Sequence, residues 1–285
     1  MAKTWELMIQ FDTMNPKMQQ RHFLWALHYL KAYPAIGTMG VTMKQDKDKQ
    51  KSDDKTLVKW IWIVIECIYE LHPHIIVWEN RKTNDVGNDC LAVVDCVDCN
   101  FQQILIPNPD KPGKKMMNKA LNSFKMKKPG LRYEIASSLK SSDIVWISGP
   151  FLPGDFNDLS VFRAGLLYML EDDERIEADC IYVAEAPHKV KCPSSAECIG
   201  SQEEYNMRAR AQGRCEQLNK HVKNWRCVSH PFVAKGSPEV KIDKHKKMTF
   251  AVTVLKQIAM EMGFNELWEL GDAYDENSNP VVTNN

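Results

Sequence analysis

Residues 90–95 have the sequence CLAVVD, and this stretch decides the fold of the chain. Its apolar run predicts a buried β-strand that ends on a carboxylate. Residues 175–179, with the sequence RIEAD, repeat the pattern as a second short strand that ends on an aspartate. A third acid, Glu216, lies in a stretch of helical periodicity, residues 207–225. Strand-Asp, strand-Asp and helix-Glu in this order predict an α/β domain with one acidic site.

The three acids Asp95, Asp179 and Glu216 are candidate metal ligands. Closely spaced carboxylates repel one another, and a bound Mg²⁺ or Mn²⁺ ion is the usual remedy. Glu216 lies beside the apolar stripe of its helix, with Asn219 and Lys220 on its own face. The alternative for Glu216 is a surface ion pair with Lys220, which contributes little to stability.

Length and composition predict an ordinary folded protein. The chain has 285 residues, a formal net charge of zero and no uninterrupted apolar run of 18 residues. No secretory signal opens it, so we expect a soluble protein of the nucleus or cytoplasm that does not interact with membranes. Nine cysteines in such a chain are expected to be reduced thiols. His188, Cys192 and Cys198 leave structural zinc as an alternative, although no paired Cys-x2-Cys spacing supports it.

The neutral net charge hides a basic segment, residues 111–128, which contains seven lysines and no acid. The lysines are Lys111, Lys114, Lys115, Lys119, Lys125, Lys127 and Lys128. The segment follows the first predicted strand, so its lysines are expected to lie near Asp95. If the acids form a nuclease site, this is where backbone phosphates of DNA would lie. The alternative is a solvated loop.

Residues 1–80 are predicted to be helical. An apolar run at 22–30 stops before a proline, and a second helix is predicted at 57–71. The polar residues 44–55 between them predict a loop. The second helix is too apolar for a free surface helix, so it either belongs to a DNA-reading unit or packs on the rest of the protein.

From residue 88 onward, short strands alternate with helices. The predicted strands are residues 88–97, 101–106, 131–139, 144–148 and 176–178. The predicted helices are residues 158–169, 207–225 and 248–263. Three strands, a helix, a strand and a helix predict a mixed sheet with helices on both faces.

Seven segments, in order, make the chain resemble a known family. They are NDCLAVVDCVDC (88–99), GLRYE (130–134), IVWISGPF (144–151), NDLSVFR (157–163), ADCIYVAEAP (178–187), RCEQLN (214–219) and KNW (223–225). This set resembles the DDE superfamily endonucleases of the Harbinger type, which include transposases and their host-retained descendants. The resemblance covers about residues 85–230.

The resemblance implies an RNase H-like fold, with a mixed five-stranded sheet flanked by helices, over residues 85–285. It also implies an all-α, helix-turn-helix-like region over residues 1–80. The implied activity is divalent-metal-dependent cleavage and strand transfer of DNA, with two ions bound by Asp95, Asp179 and Glu216. Asp95 would bridge both ions. The auxiliary acids are Asp98 and Asp158, the second of which we interpret as a helix N-cap, and the DNA-contacting residues are Lys125, Lys127, Lys128, Lys220 and Lys223.

Several substitutions depart from the family pattern near the acids. Cys96 stands where the family has glycine, Ile181 stands in a loop of small residues, and Gln212 replaces an expected arginine. A β-branched Ile181 predicts a strained or reshaped loop, because glycine in such turns permits a positive φ or a close approach of the backbone to metal or phosphate. The alternative function is therefore a catalytically inactive, transposase-derived scaffold that binds DNA or protein. Such transposases commonly need a separate DNA-binding partner protein, so the resemblance implies one here. A homo-oligomer is a further alternative.

Overall fold

The computed structural model describes residues 1–42, 53–82, 90–139, 141, 143–192 and 202–264. Most of the predicted loop at 44–55 lies outside these described residues. The helices before the first strand are α1 (Ala2–Gln10), α2 (Gln20–Ala32), α3 (Ile36–Thr42), α4 (Asp54–Glu70) and α5 (His72–Ile75), followed by a 3-10 turn at Trp78–Lys82. The N-terminal region is therefore helical where it is described, as the sequence predicts.

The strands form one mixed sheet and one small hairpin. They are β1 (Cys90–Asn100), β2 (Leu105–Pro107), β3 (Lys115–Met117), β4 (Asn122–Ser123), β5 (Lys128–Ser138), β6 (Ile144–Phe151), β7 (Arg175–Glu177) and β8 (Val190–Lys191). In the main sheet the spatial order is β6-β5-β1-β7-β8, with β4 added beside the start of β5. β1 pairs antiparallel with β5 and parallel with β7, and β7 pairs parallel with β8. The expected mixed α/β sheet of about five strands is confirmed.

Helices cover both faces of this sheet. The helices after the first strand are α6 (Asp158–Ala164), α7 (Gln202–Lys223), α8 (Arg226–Ser229) and α9 (Pro238–Glu261). Val97 and Cys99 of β1 share one core with α2, α4 and α9, whereas Ala92 and Val94 pack with Phe162 of α6 on the opposite face. The alternation follows from the period of two along a strand. Among the described helices, none is long and apolar enough to cross a membrane.

The N-terminal helices pack on the sheet and share its core. Ile61, Val64 and Ile68 of α4 are buried at helical spacing in the same cluster as Val254 of α9. This burial explains why α4 is apolar on nearly all sides. Of the two interpretations of this region, packing on the rest of the protein is what the structure shows. DNA reading by residues 1–80 stays a prediction.

The structure differs from the sequence prediction in two strands and in the start of the last helix. Residues 101–106 do not continue the main sheet, because Phe101 forms only an isolated bridge with Phe232 and the chain then turns into the β2–β3 hairpin. β8 has no counterpart among the predicted strands, since two residues carry no detectable alternation. The C-terminal helix begins at Pro238, ten residues before the predicted start, because Ser237 caps it through the N–H of Val240.

Candidate acidic site beside two parallel strands

Strand register places Asp95 and Asp179 side by side. Val93 of β1 is paired with Glu177 of β7 in the parallel ladder, and each aspartate lies two residues beyond its member of that pair. Residues two apart share a face of the sheet, and neighbouring strands lie about 4.8 Å apart. β7 ends at Glu177, so Asp179 lies just beyond its strand, and the charge of Asp179 acts on Asp95. The structure therefore brings these two predicted site residues together. The prediction that the first strand ends at Asp95 is wrong, because β1 continues to Asn100 and Asp95 lies in its middle.

The carboxylate of Asp95 is held by two hydrogen bonds. Its Oδ1 accepts the N–H of Cys96 at 2.7 Å, and its Oδ2 accepts Nδ2 of Asn219 on α7 at 2.7 Å. Burial, followed by the nearby carboxylates of Asp158 and Asp179, raises the pKa of Asp95 to about 6, against the opposing effect of Lys125. Like-charge repulsion among Asp95, Asp179 and Glu216 predicts that, without metal, at least one of the three has a raised pKa. The direction is confirmed, and burial is the larger cause.

Lys125 lies among these acids. Its Nζ is 3.7 Å from Asp95 Oδ1 and 3.6 Å from Asp158 Oδ2, and it donates to the carbonyl of Cys96 at 3.4 Å. Burial opposes the charge, but the carboxylates of Asp95 and Asp158 prevail and raise the pKa of Lys125, which stays a cation. The sequence assigns Lys125 to DNA phosphates, and its side chain is 49% exposed, so a phosphate could still reach it.

Asp98 and Asp158 belong to a buried network centred on Arg132. The Arg132 guanidinium binds Asp98 through Nε and Nη2 at 2.7 and 2.9 Å, and its Nη1 lies 2.6 Å from Asp158 Oδ1. Ser123 donates to Asp98 at 2.5 Å. Burial raises the pKa of Asp98, but the hydrogen bonds from Arg132 and Ser123 outweigh burial and hold that pKa below its ordinary value. Asp98 reaches this network from the face of β1 opposite to Asp95.

The N-cap interpretation of Asp158 is wrong. Asn157 caps α6, because its Oδ1 accepts the N–H of Ser160 at 2.8 Å. Asp158 is the first residue of the helix, where its carboxylate turns inward to Arg132 and Lys125. Asp158 therefore contributes negative charge to the acidic site. Its position at the start of a helix did not reveal this role in the sequence.

Glu216 is an exposed residue of α7. Gln212, one turn before it, donates to the carbonyl of Ala178 at 3.0 Å, and Asn219, three residues after it, binds Asp95. Residues at these spacings share a helix face, so Glu216 lies on the face that meets Asp95 of β1 and the chain just after β7. This position of Glu216 on α7 agrees with the predicted site of Asp95, Asp179 and Glu216. A role for Glu216 in it stays a prediction.

The remaining predicted DNA contacts are exposed lysines. Lys127 lies on the turn between β4 and β5, with φ of 58°, and Lys128 is the first residue of β5. Lys220 and Lys223 lie in the last turn of α7, beyond Asn219. All four side chains are exposed to solvent, as phosphate contacts require.

Cys96 and Ile181 do not strain the backbone. Among the described residues, the non-glycine residues with positive φ are Asp12, Tyr33 and Lys127. Cys96 is a buried strand residue whose Sγ accepts the hydroxyl of Tyr182 at 3.6 Å, and the N–H of Ile181 donates to Asp179 at 2.8 Å. The loop at Ile181 is therefore not strained, because it forms a capped 3-10 turn at Cys180–Glu185. A reshaped loop, the other half of the expectation, stays a prediction.

No ready-made metal cluster is present in the described residues. There, no group of three or more histidine, cysteine, aspartate or glutamate side chains is arranged to hold a metal ion. Cys192 of the zinc alternative is buried, and Cys198 lies outside the described residues. The acidic site instead balances part of its charge with Lys125 and Arg132.

Glu134 is a buried acid that sequence reasoning did not single out. It faces Cys96 across the β1–β5 pair and is fully buried. Trp146 donates to its Oε2 at 3.0 Å, and its Oε1 has no hydrogen-bond partner within the described part of the chain. Burial, reinforced by Asp158, raises the pKa of Glu134 to about 8. The alternation along β5 could have located Glu134, because Arg132 and Glu134 are two residues apart and share a face of the sheet.

Glu134 predicts a specific pH dependence of stability. The folded-state pKa of about 8 exceeds the ordinary value of 4.5, so the folded protein binds a proton that the unfolded chain releases between these pH values. Stability should fall as pH rises through this window. Glu134→Gln mimics the protonated acid and removes the effect. We expect wild type to lose about 3–4 kcal/mol relative to Glu134→Gln between pH 5 and 8.5, measured by urea unfolding. Parallel pH curves would contradict this.

Comparison with protein-family models, curated proteins and solved structures finds no match to this chain. The geometry of the acidic site and the sequence motifs that surround it are therefore the basis for a proposed function.

Proposed function

We propose that the chain is a divalent-metal-dependent DNA endonuclease or transposase domain with an RNase H-like fold. The observation that carries this proposal is the proximity of Asp95, on β1, to Asp179, which lies two residues after the end of the adjacent parallel strand β7. α7 holds one of them through Asn219 and carries Glu216 on the same face. This arrangement corresponds to the strand-Asp, strand-Asp, helix-Glu order of the family that the chain resembles.

The architecture supports the RNase H-like assignment. Along the chain, the main strands β1, β5 and β6 are followed by α6, then β7, and later by α7. The sheet is mixed and has helices on both faces. This is the order of elements that the motifs imply.

The charge of the acidic site fits a divalent cation. Four carboxylates, those of Asp95, Asp98, Asp158 and Asp179, interact with two cations, Lys125 and Arg132. Two negative charges are unbalanced when all four acids are ionised. Carboxylate oxygens are the ligands that Mg²⁺ and Mn²⁺ prefer. Asp95 and Asp179 would hold the ion, with Glu216 as the third candidate ligand.

The residues of this chain would then have distinct roles in phosphodiester cleavage. A bound divalent ion supplies a Lewis acid and lowers the pKa of an attacking water or 3′-hydroxyl. Asn219 and the N–H of Cys96 orient Asp95, and the N–H of Ile181 orients Asp179. Lys125 would exchange its contacts with the acids for a phosphate oxygen, where its charge stabilises the pentavalent transition state.

A second function is favoured by the position of Lys125. An ammonium group at 3.6–3.7 Å from two carboxylates already acts as an internal counterion. If it stays there permanently, the acids serve to hold the turn between β4 and β5, and the chain is an inactive scaffold that binds DNA or protein. The two functions differ in whether a metal ion can bind.

Isothermal titration of Mn²⁺ into the full chain tests the proposal. For a nuclease, we expect saturable binding to wild type and at least about tenfold weaker binding to Asp95→Asn. Lys125→Met should strengthen binding by about tenfold, because it removes a competing cation from a poorly solvated site. Lys119→Met, which changes an exposed lysine of the same basic segment, is the matched control and should leave the affinity unchanged.

The scaffold predicts a different set of titrations. Neither wild type nor Lys125→Met would bind Mn²⁺, although both would fold. That result would exclude the nuclease proposal and leave Lys125 as the permanent counterion of Asp95 and Asp158.

A further inference from the structure

The turn between β4 and β5, residues 124–127, is rigidly attached to the acidic site. The carbonyl of Ser123 accepts the N–H of Lys127 at 2.9 Å, and Ser123 Oγ accepts the N–H of Met126 at 2.9 Å. The same hydroxyl donates to Asp98, which Arg132 holds in place. These hydrogen bonds connect the turn to the buried ionic network, so the network determines where the outer residues of the turn lie.

Two consecutive residues of this turn point to different environments. Lys125 reaches the carboxylates of Asp95 and Asp158, whereas the ring of Phe124 is 85% exposed. Lys127 Nζ lies 3.5 Å from the centroid of that ring. Single exposed apolar side chains are common, but here an aromatic ring beside an ammonium group adjoins a catalytic candidate.

Phe124 lines an open groove of about 640 Å³, a size typical of small-ligand sites. The groove is lined by Gln103, Met117, Asn122, Ser123, Phe124, Lys127, Lys128 and Pro129. These residues combine an apolar surface, two ammonium groups and amide hydrogen-bonding groups, and they include no acid. Lys115 extends the positive charge from β3, because it lies two residues from Met117 and shares its exposed face.

A flat aromatic group joined to an anion is the ligand that this lining fits. The ring of Phe124 offers a stacking surface, and Lys127 and Lys128 offer charge for a phosphate. A paired base is covered by its neighbours in the duplex and cannot stack on a protein ring. We infer that the groove binds an unpaired nucleotide of single-stranded DNA, with its base on Phe124 and its phosphate beside Lys127 and Lys128.

This inference deepens the proposed function and rests on it for the identity of the substrate. Because Phe124 precedes Lys125, the unpaired nucleotide would lie next to the phosphate at Asp95. The substrate class is then DNA that is single-stranded or opened at the cleavage point, and Phe124 determines this specificity.

Binding without metal isolates the inference from catalysis. The full chain in EDTA is titrated with a fluorescent single-stranded oligonucleotide and with its duplex, and anisotropy is measured. We expect Phe124→Ala to weaken single-strand binding on the order of tenfold to a hundredfold and to leave duplex binding unchanged. Phe124→Trp should retain binding. Tyr168→Ala, which changes an 80% exposed aromatic residue on another element, is the matched control and should bind like wild type.

Two further measurements identify the groups that touch the nucleotide. A 2-aminopurine base in the single strand should be quenched by wild type and not by Phe124→Ala. Lys127→Ala with Lys128→Ala should reduce the slope of log affinity against log salt by roughly one unit for each phosphate that the protein no longer neutralises, whereas Phe124→Ala should not change that slope.

The outcomes separate this inference from the nuclease proposal. The inference is overturned if Phe124→Ala binds single strands like wild type, or if the substitution weakens duplex binding equally. It is also overturned if an acidic peptide binds with higher affinity than the oligonucleotide. Phe124-dependent binding without Mn²⁺-dependent nicking would overturn the nuclease proposal alone. Nicking with binding independent of Phe124 would overturn the stacking site alone.

Discussion

Replacing Arg132 by methionine is expected to lower the free energy of unfolding by about 3–5 kcal/mol. The side chain is 7% exposed and binds Asp98, whose side chain is 1% exposed, through two hydrogen bonds. It also pairs with Asp158 and donates to the carbonyl of Phe156. Methionine fills a similar volume but leaves two buried carboxylates without their main counterion. Urea unfolding at pH 7 measures the decrease.

The matched control is Arg163→Met. Arg163 lies 2.6 Å from Glu185, but its side chain is 51% exposed, so we expect a decrease in stability of less than about 1 kcal/mol. Adding Asp98→Asn to Arg132→Met should recover part of the stability, because it removes one unpaired buried charge. Equal decreases for Arg132→Met and Arg163→Met would show that the network does not hold the acidic site together.

Asp95→Asn and Asp179→Asn are each expected to lower Mn²⁺-dependent nicking of DNA by at least about a thousandfold. Each substitution keeps the shape of the side chain and removes the charge that would hold the metal ion. Glu216→Gln should have an effect of similar size if the exposed face of α7 completes the site. Single-turnover nicking of supercoiled plasmid is the measurement, with urea unfolding of each variant as evidence that it is folded.

Glu66→Gln is the control for these variants. Glu66 lies on α4 and pairs with Lys247 of α9, outside the acidic site, so nicking should be unchanged. Loss of nicking with Asp95→Asn and Asp179→Asn but not with Glu216→Gln would restrict the site to the two aspartates. Equal nicking by wild type and Asp95→Asn would end the catalytic proposal, whatever the fold.

The sequence alone determined the elements that carry the site. The apolar run before Asp95 has no polar residue and can only be a buried element, and its β-branched residues favour a strand. The stripe that contains Ala211, Cys215 and Leu218 has a period that only a helix satisfies, and these residues are buried in α7. Such patterns are local, so they could be recognised without knowing which elements are neighbours.

Only the tertiary structure decided which side chains surround Asp95. Lys125, Asn219 and Asp158 lie far from it in sequence, and their contacts depend on the register of β1 with β5 and β7 and on the docking of α6 and α7. A local pattern cannot distinguish a lysine in solvent from a lysine that balances two buried acids, because both occur in polar segments. The sequence shows that Lys125 is a cation, whereas the packing of the sheet and its helices determines that Asp95 and Asp158 are its partners.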